Sequence, residues 1–123
     1  MTSVLIVDDS PVIRKVARHV LQSLGFEISE AKDGQAGLDA CSQSMPDRIL
    51  VDANMPVMNG CEFLRNLRAM QDGGRPRVVF CTSENDIGHI ARAMRAGADD
   101  YMMKPFHRDT LVSKFTDVET DAG

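Results

Sequence analysis

Four short apolar runs in this 123-residue chain end on residues able to do chemistry. Val4-Leu5-Ile6-Val7 is followed by Asp8-Asp9, Ile49-Leu50-Val51 by Asp52, Val78-Val79-Phe80-Cys81 by Thr82-Ser83, and Tyr101-Met102-Met103 by Lys104-Pro105. If the runs are parallel strands of one open sheet, their C-terminal ends share an edge, where such sheets bind ligands. That edge then collects three carboxylates, two hydroxyls and one ammonium. Carboxylates at ~5 Å repel by roughly 3 kcal/mol per pair at an effective dielectric of about 20. Protonation, the ammonium of Lys104 or a divalent cation can relieve this. Oxygen donors of this kind are hard ligands, which suits Mg²⁺, with Mn²⁺ or Ca²⁺ possible. A metal held by few protein oxygens keeps positions open for phosphate oxygens. Lys104, Thr82 and Ser83 add the positive charge and donors that a phosphoryl group needs. An aspartate beside such a metal can itself be the nucleophile, giving an acyl phosphate.

The elements that must position these groups alternate along the chain. Strands are expected at Val4–Val7, Phe26–Ser29, Arg48–Val51, Arg77–Cys81 and Asp100–Met103. Between them Ile13, Val16, Ala17, Val20, Leu21 and Leu24 recur at helical spacing, opposite Arg14, Lys15 and Arg18. Ser10 before Pro11 predicts an N-cap with proline in the first turn, and Gly25 predicts the end. Further helices are expected at about 34–43, 60–70, 85–96 and 107–118, the fourth opened by Asn85-Asp86 and closed by Gly97. Asp33-Gly34 and Gly73-Gly74 read as turns. Five strands alternating with five helices predict an α/β fold: a doubly wound five-stranded parallel sheet in the flavodoxin-like order 2-1-3-4-5, with strands buried on both faces. A polar tail from about 119 is expected to fray.

Composition bounds the function. The chain is 43% hydrophobic and 26% charged, sufficient for one packed domain over residues 1–123. A formal net charge of −4 argues against nucleic-acid or polybasic membrane binding. No apolar run approaches the roughly 18 residues of a membrane span, and the N-terminus lacks the pattern of a signal peptide. Cys41, Cys61 and Cys81 are an odd count without a CxxC spacing, which indicates neither a disulfide framework nor a zinc site. The expectation is a reduced, cytoplasmic, single-domain protein.

These residues carry a resemblance. Val-Asp-Asp at 7–9, Val-Asp-Ala-Asn-Met-Pro-Val-Met-Asn-Gly at 51–60, Thr-Ser at 82–83, Ala-Gly-Ala-Asp-Asp-Tyr at 96–101 and Lys-Pro-Phe at 104–106 stand in one order and spacing, the chemical groups at strand ends. Over residues 3 to 118 or so, the chain resembles the receiver domain of two-component response regulators, of the stand-alone (CheY-like) type. The resemblance implies that Asp52 is the phosphoacceptor and that Asp9 ligates Mg²⁺ directly, Asp8 largely through water and Asn54 through its backbone carbonyl. It implies that Lys104 pairs with phosphoryl oxygens, that Thr82 (with Ser83 beside it) bonds one of them, and that Lys104–Pro105 is cis, aiming the ammonium into the site. Thr82 moving toward the phosphoryl group would let Tyr101 turn inward, a two-state element read on the outer face. Asn54 and Glu84, two positions beyond Asp52 and Thr82, would govern water's access and give a short-lived phosphoprotein. Two features depart from the pattern: Ala53, where a larger aromatic is common, and a last helix shorter and poorer in apolar residues than usual, with Leu111, Phe115 and Val118 as its buried side.

The function implied is a phosphoacceptor switch rather than an enzyme. It would take its phosphoryl group from a histidine kinase or histidine phosphotransfer protein and signal to a protein target, by contact or onward phosphotransfer. Only 18 residues follow Pro105, so no output domain is expected within the chain. The alternative is a receiver-like binding module that works without phosphorylation. A Mg²⁺-dependent phosphatase is the less suited rival, since no cap domain fits, and a flavin site is a poor match for clustered carboxylates. His19, His89 and His107 have no ligand spacing, and the cysteines read as small buried residues. The eight methionines read mostly as core or loop filler; for Met55 and Met58, which flank Pro56 in the loop after Asp52, a mobile loop beside the site is the equal alternative. Two basic groups stay open. Arg14, Lys15 and Arg18 on the first helix are a solvated face or, as the resemblance implies, the dock for the phosphodonor's helical bundle. Arg92 and Arg95 on the fourth are a solvated face or part of an output surface with Tyr101.

Overall fold

A computed structural model describes residues 1–83 and 87–121. Its elements alternate: β1 (Ser3–Val7), α1 (Pro11–Ser23), β2 (Glu27–Ala31), α2 (Gly34–Gln43), β3 (Arg48–Asp52), α3 (Gly60–Ala69), β4 (Arg77–Thr82), α4 (Ile87–Ala96), β5 (Asp100–Met103) and α5 (Arg108–Asp121). All strand pairs are parallel, in the order β2-β1-β3-β4-β5 expected from the sequence.

The sheet is covered on both faces. Alternation of side chains along each strand sends Leu5, Val7, Ile49, Val51, Val78 and Phe80 toward Phe63, Leu64 and Leu67 of α3. Val4, Ile6, Leu50, Val79 and Cys81 go the other way, onto Ala17, Val20 and Leu21 of α1 and Leu111 and Phe115 of α5. Two-sided burial is why β1, β3 and β4 read as continuous apolar runs.

The helix starts follow local chemistry. The Ser10 hydroxyl accepts from the Ile13 N–H at 3.3 Å, with Pro11 opening α1. At α3, Asn59 and Glu62 form a reciprocal capping box. Gly97 closes α4 with φ +122, a conformation that suits glycine.

Several boundaries differ from expectation. β2 covers Glu27–Ala31, not Phe26–Ser29, and is not buried on both faces: Glu27, Ser29 and Glu30 are exposed. It is an edge strand, paired only to β1, so it needs no apolar run; Phe26 instead precedes it and packs edge-on against Phe115. Asp33-Gly34 is no free turn. Asp33 is the N-cap of α2, accepting from the Ala36 N–H at 2.8 Å. The last helix runs to Asp121, past the boundary expected near 118. Leu111 and Phe115 are buried as expected; the Val118 side chain and the proposed opening residues Asn85-Asp86 of α4 lie outside the described residues. Met55 belongs to the core and Met58 packs against it, as the core-filler reading of these methionines expects.

Candidate functional site

Register brings the polar strand ends together. Val7 stands level with Val51, so Asp8, one residue on, is level with Asp52, the last residue of β3; Asp52 in turn faces Cys81, the residue before Thr82. β5 enters beside β4, where the Lys104 N–H donates to the Thr82 carbonyl at 2.8 Å. Asp8, Asp9, Asp52, Thr82 and Lys104 thus come to one edge from four adjacent strands.

The Lys104 ammonium bridges the two buried acids, 3.0 Å from Asp8 Oδ2 and 3.0 Å from Asp52 Oδ1. The second Asp8 oxygen accepts from the Ser10 N–H at 2.9 Å, and its backbone carbonyl accepts from the Arg14 guanidinium at 2.7 Å. Asp9 is exposed, yet it offers an oxygen within 4.8 Å of oxygens from Asp8 and Asp52.

One ammonium does not neutralise three carboxylates. Burial pushes Asp52 above the ordinary carboxylate value, the Asp8 charge adds to this, and the bonds from Lys104 and the Asn54 N–H pull the other way. For Lys104, burial works to lower the ammonium, but the hydrogen bonds to Asp52 and Asp8 outweigh it and hold it protonated above its usual value. This excess of negative charge, presented by oxygen donors at the mouth of the pocket, fits a small hard cation such as Mg²⁺.

The remaining residues expected at the site are placed as follows. Thr82 is fully buried behind Asp52, whereas Ser83 is exposed and lines a hollow of about 290 Å³ with Ile13, Val16, Lys104, Pro105 and Phe106. The Lys104–Pro105 peptide is cis. Asn54 is exposed at the rim. Tyr101 lies away from the pocket, its ring half-exposed with the Lys114 ammonium 5.5 Å above it and Lys114 bonded to Asp100. Glu84 lies outside the described residues. On α1, Arg14 and Arg18 are not free: both pair with Glu30, at 3.0 and 2.6 Å.

Two residues beside the site went unnoticed in the sequence. Gly60, the first residue of α3, approaches so closely that a Cβ there would lie 2.6 Å from the Asp52 carbonyl and 2.8 Å from the Phe80 ring. Its place in the run ending Met-Asn-Gly is the only signal that could have found it. Val57 sits in the left-handed region at φ 70 and is fully exposed at 103%; nothing in its residue type signals that.

Comparison with known proteins agrees with this geometry. Residues 4–116 match the family described as "Response regulator receiver domain". Among curated relatives, the DNA-binding response regulator MtrA of Mycolicibacterium smegmatis is 38% identical over 111 residues, 90% of this chain and 47% of that protein. The KDP operon transcriptional regulatory protein KdpE of Escherichia coli is 41% identical over 106 residues, 86% of this chain and 46% of that protein. The chain therefore spans about half the length of the curated relatives it matches. Among solved structures, the Vibrio cholerae chemotaxis protein CheY4 aligns with a TM-score of 0.91 at 34% identity, over 96% of this chain and 98% of that one. The receiver domain of sensor histidine kinase PA1611 from Pseudomonas aeruginosa, described with a magnesium ion coordinated in its active site cleft, aligns with a TM-score of 0.82 at 32% identity, over 89% of this chain and 90% of that one. Phosphorylation on aspartate is general for the family, whose members interact with histidine kinases and bind Mg²⁺ in the active site. On sequence, fold and pocket alike, this chain belongs to the response regulator receiver domain family.

Proposed function

We propose that residues 1–123 form one receiver domain that accepts a phosphoryl group on Asp52 from the phosphohistidine of a histidine kinase or phosphotransfer protein. The observation that carries this reading is the position of the Lys104 ammonium, 3.0 Å from both Asp8 and Asp52 within a cluster of three carboxylates. In the transfer, the bond from phosphorus to the donor's histidine nitrogen breaks as one forms to an Asp52 carboxylate oxygen, leaving an acyl phosphate. Lys104 exchanges its bond to Asp52 for one to a phosphoryl oxygen while keeping Asp8. The Thr82 hydroxyl donates to another oxygen, with Ser83 beside it, and Lys104 is aimed from the cis Pro105 peptide. Asp9 and Asp52 would hold Mg²⁺ directly, with Asp8 acting largely through water and Asn54 through its backbone carbonyl; Mn²⁺ would also serve. The ion supplies charge compensation for the phosphoryl oxygens.

Release and readout follow from the same residues. Asn54 and Glu84 modulate the hydrolysis of the acyl phosphate and so set its lifetime. Thr82, drawn toward the phosphoryl group, vacates space behind it, and Tyr101 leaves its half-exposed seat under Lys114 for the interior. The result is a switch in partner affinity and not a turnover enzyme, acting through protein contact or onward phosphotransfer. The net charge of −4 favours protein partners over nucleic acid or membrane, and three unpaired cysteines suit the cytoplasm.

Titration with beryllofluoride, a stable phosphoryl mimic, tests this by NMR. The expected result is Mg²⁺-dependent shifts around Asp52, Thr82, Tyr101 and Lys104 that vanish in Asp52→Ala. Mg²⁺ binding with no response to the mimic would make a phosphorylation-independent binding module the better account.

A further inference from the structure

The helices α3 and α4 lie side by side, and the trough between them is basic. Arg65, Arg68, Arg92 and Arg95 line a stretch of about 450 Å³. A second stretch of about 320 Å³ shares Arg65 and Arg92 and continues past Cys61 and His89 to Asn54 at the rim of the carboxylate pocket. Residues three apart on a helix share a face, so Arg65 and Arg68 on one side meet Arg92 and Arg95 on the other.

The four guanidiniums differ in what they already hold. Arg68 is part of the framework: it donates to the carbonyls of Gly97 (2.6 and 3.0 Å), Gly73 (2.9 Å) and Pro76 (2.9 Å) and pairs with Asp99 at 3.1 Å. Arg65, Arg92 and Arg95 are exposed and have no carboxylate partner among the described residues. Among the described residues Arg92 contacts the His89 ring nitrogen at 3.5 Å, and the other nitrogen of that ring is buried without a partner among them. Among the other cations, Arg14 and Arg18 pair with Glu30, and Arg77 and Lys114 with Asp100. In a chain with 18 acidic and 14 basic side chains, three unmatched guanidiniums in one concave strip do not reflect a surplus of cations.

We propose that the α3–α4 trough is a docking groove for an extended acidic segment of a partner protein, carrying carboxylates on alternate residues. Each helix has 10 residues, so the trough is about 15 Å long, room for about five extended residues. Alternate side chains of an extended chain point the same way, so one edge of the segment can present its carboxylates in a row to the arginines of the trough. Guanidinium pairs with carboxylate in a two-pronged geometry that gives direction as well as attraction. A nucleic-acid strand suits the trough less well: its continuing charge would run past Asn54 onto Asp8, Asp9 and Asp52. The groove needs no phosphoryl group, so it goes beyond the switch described above and stands independently of it.

The test uses the full chain and the peptide acetyl-Glu-Ala-Glu-Ala-Glu-amide, with its Gln counterpart as control, followed by NMR of backbone and arginine side-chain N–H groups at low ionic strength. Saturable shifts at Arg65, Arg92 and Arg95, weakened about tenfold by the Gln peptide and by the paired substitution R92Q/R95Q, are expected, with binding that falls as salt rises. Arg65→Gln on the other wall repeats the loss independently, should the α4 variant lose its fold. Equal binding of the Gln peptide, or shifts confined to Arg14, Lys15 and Arg18, would overturn the proposal. So would a short single-stranded oligonucleotide that displaces the peptide from the same arginines at lower concentration.

Discussion

The ammonium of Lys104 stands 3.0 Å from Asp52 Oδ1, and yet the Asp52 carboxyl is harder to ionise than a free one. Burial is the largest reason, and the neighbouring Asp8 charge, 3.0 Å from the same ammonium, adds to it. The carboxylate cluster therefore favours additional positive charge beside it.

A pH-dependent stability difference follows. Asp52 has its ordinary value of 3.8 in the unfolded chain and a raised value in the folded one. Between the two the folded state binds the proton more tightly, so the stability contribution of Asp52 falls as pH rises through that window, and the full penalty stands above it. Asp52→Asn removes the penalty. In chelator-treated buffer at pH 7 it is expected to unfold at higher urea by about 1 kcal/mol, the balance of opposing charge terms of a few kcal/mol each. The gap should close as pH is lowered through the raised value toward 3.8. Urea melts of both proteins across this range decide it; a gap that widens on acidification would contradict the account.

How far the sequence carried this reading depends on where each signal resides. Asp8, Asp52 and Lys104 were legible because a polar residue ending a doubly buried apolar run is a local pattern with a topological consequence. β2 was not, since an edge strand with Glu27, Ser29 and Glu30 in water lacks such a run. Met55 and Met58 lie in the loop after Asp52 as read, but whether they fill the core stayed open, because that is decided by packing against residues distant in the chain. The Arg65–Arg92 trough is likewise tertiary: each helix shows only two arginines three apart, and nothing local says that they face one another.

Gly60 limits the approach of α3 to the end of β3. Its added Cβ would meet the Asp52 carbonyl at 2.6 Å and the Ala53 Cα at 3.0 Å, neither of which is the movable end of a side chain. Gly60→Ala is expected to destabilise the fold by about 2–3 kcal/mol, as overpacking does. It should also displace the Asp52 carboxylate, visible as loss of the beryllofluoride response under conditions where the variant is still folded. A variant of unchanged urea midpoint would mean that the helix moves away without penalty.

Val57 offers the opposite case, a residue whose replacement should help. Its backbone is left-handed at φ 70, which brings Cβ close to the following carbonyl and disfavours a β-branched residue by roughly 1–2 kcal/mol. The side chain is fully exposed at 103%, so no packing offsets the strain. Asn tolerates this conformation and loses nothing by the exchange. Val57→Asn is therefore expected to raise the urea midpoint by an amount equivalent to about 1 kcal/mol, without altering Mg²⁺-dependent beryllofluoride shifts at Asp52. If stability falls instead, the Val57 side chain holds contacts that its exposure in this structure does not reveal. If stability rises while the beryllofluoride response weakens, the loop after Asp52 is strained because the site needs that shape, and Val57 belongs to the switch.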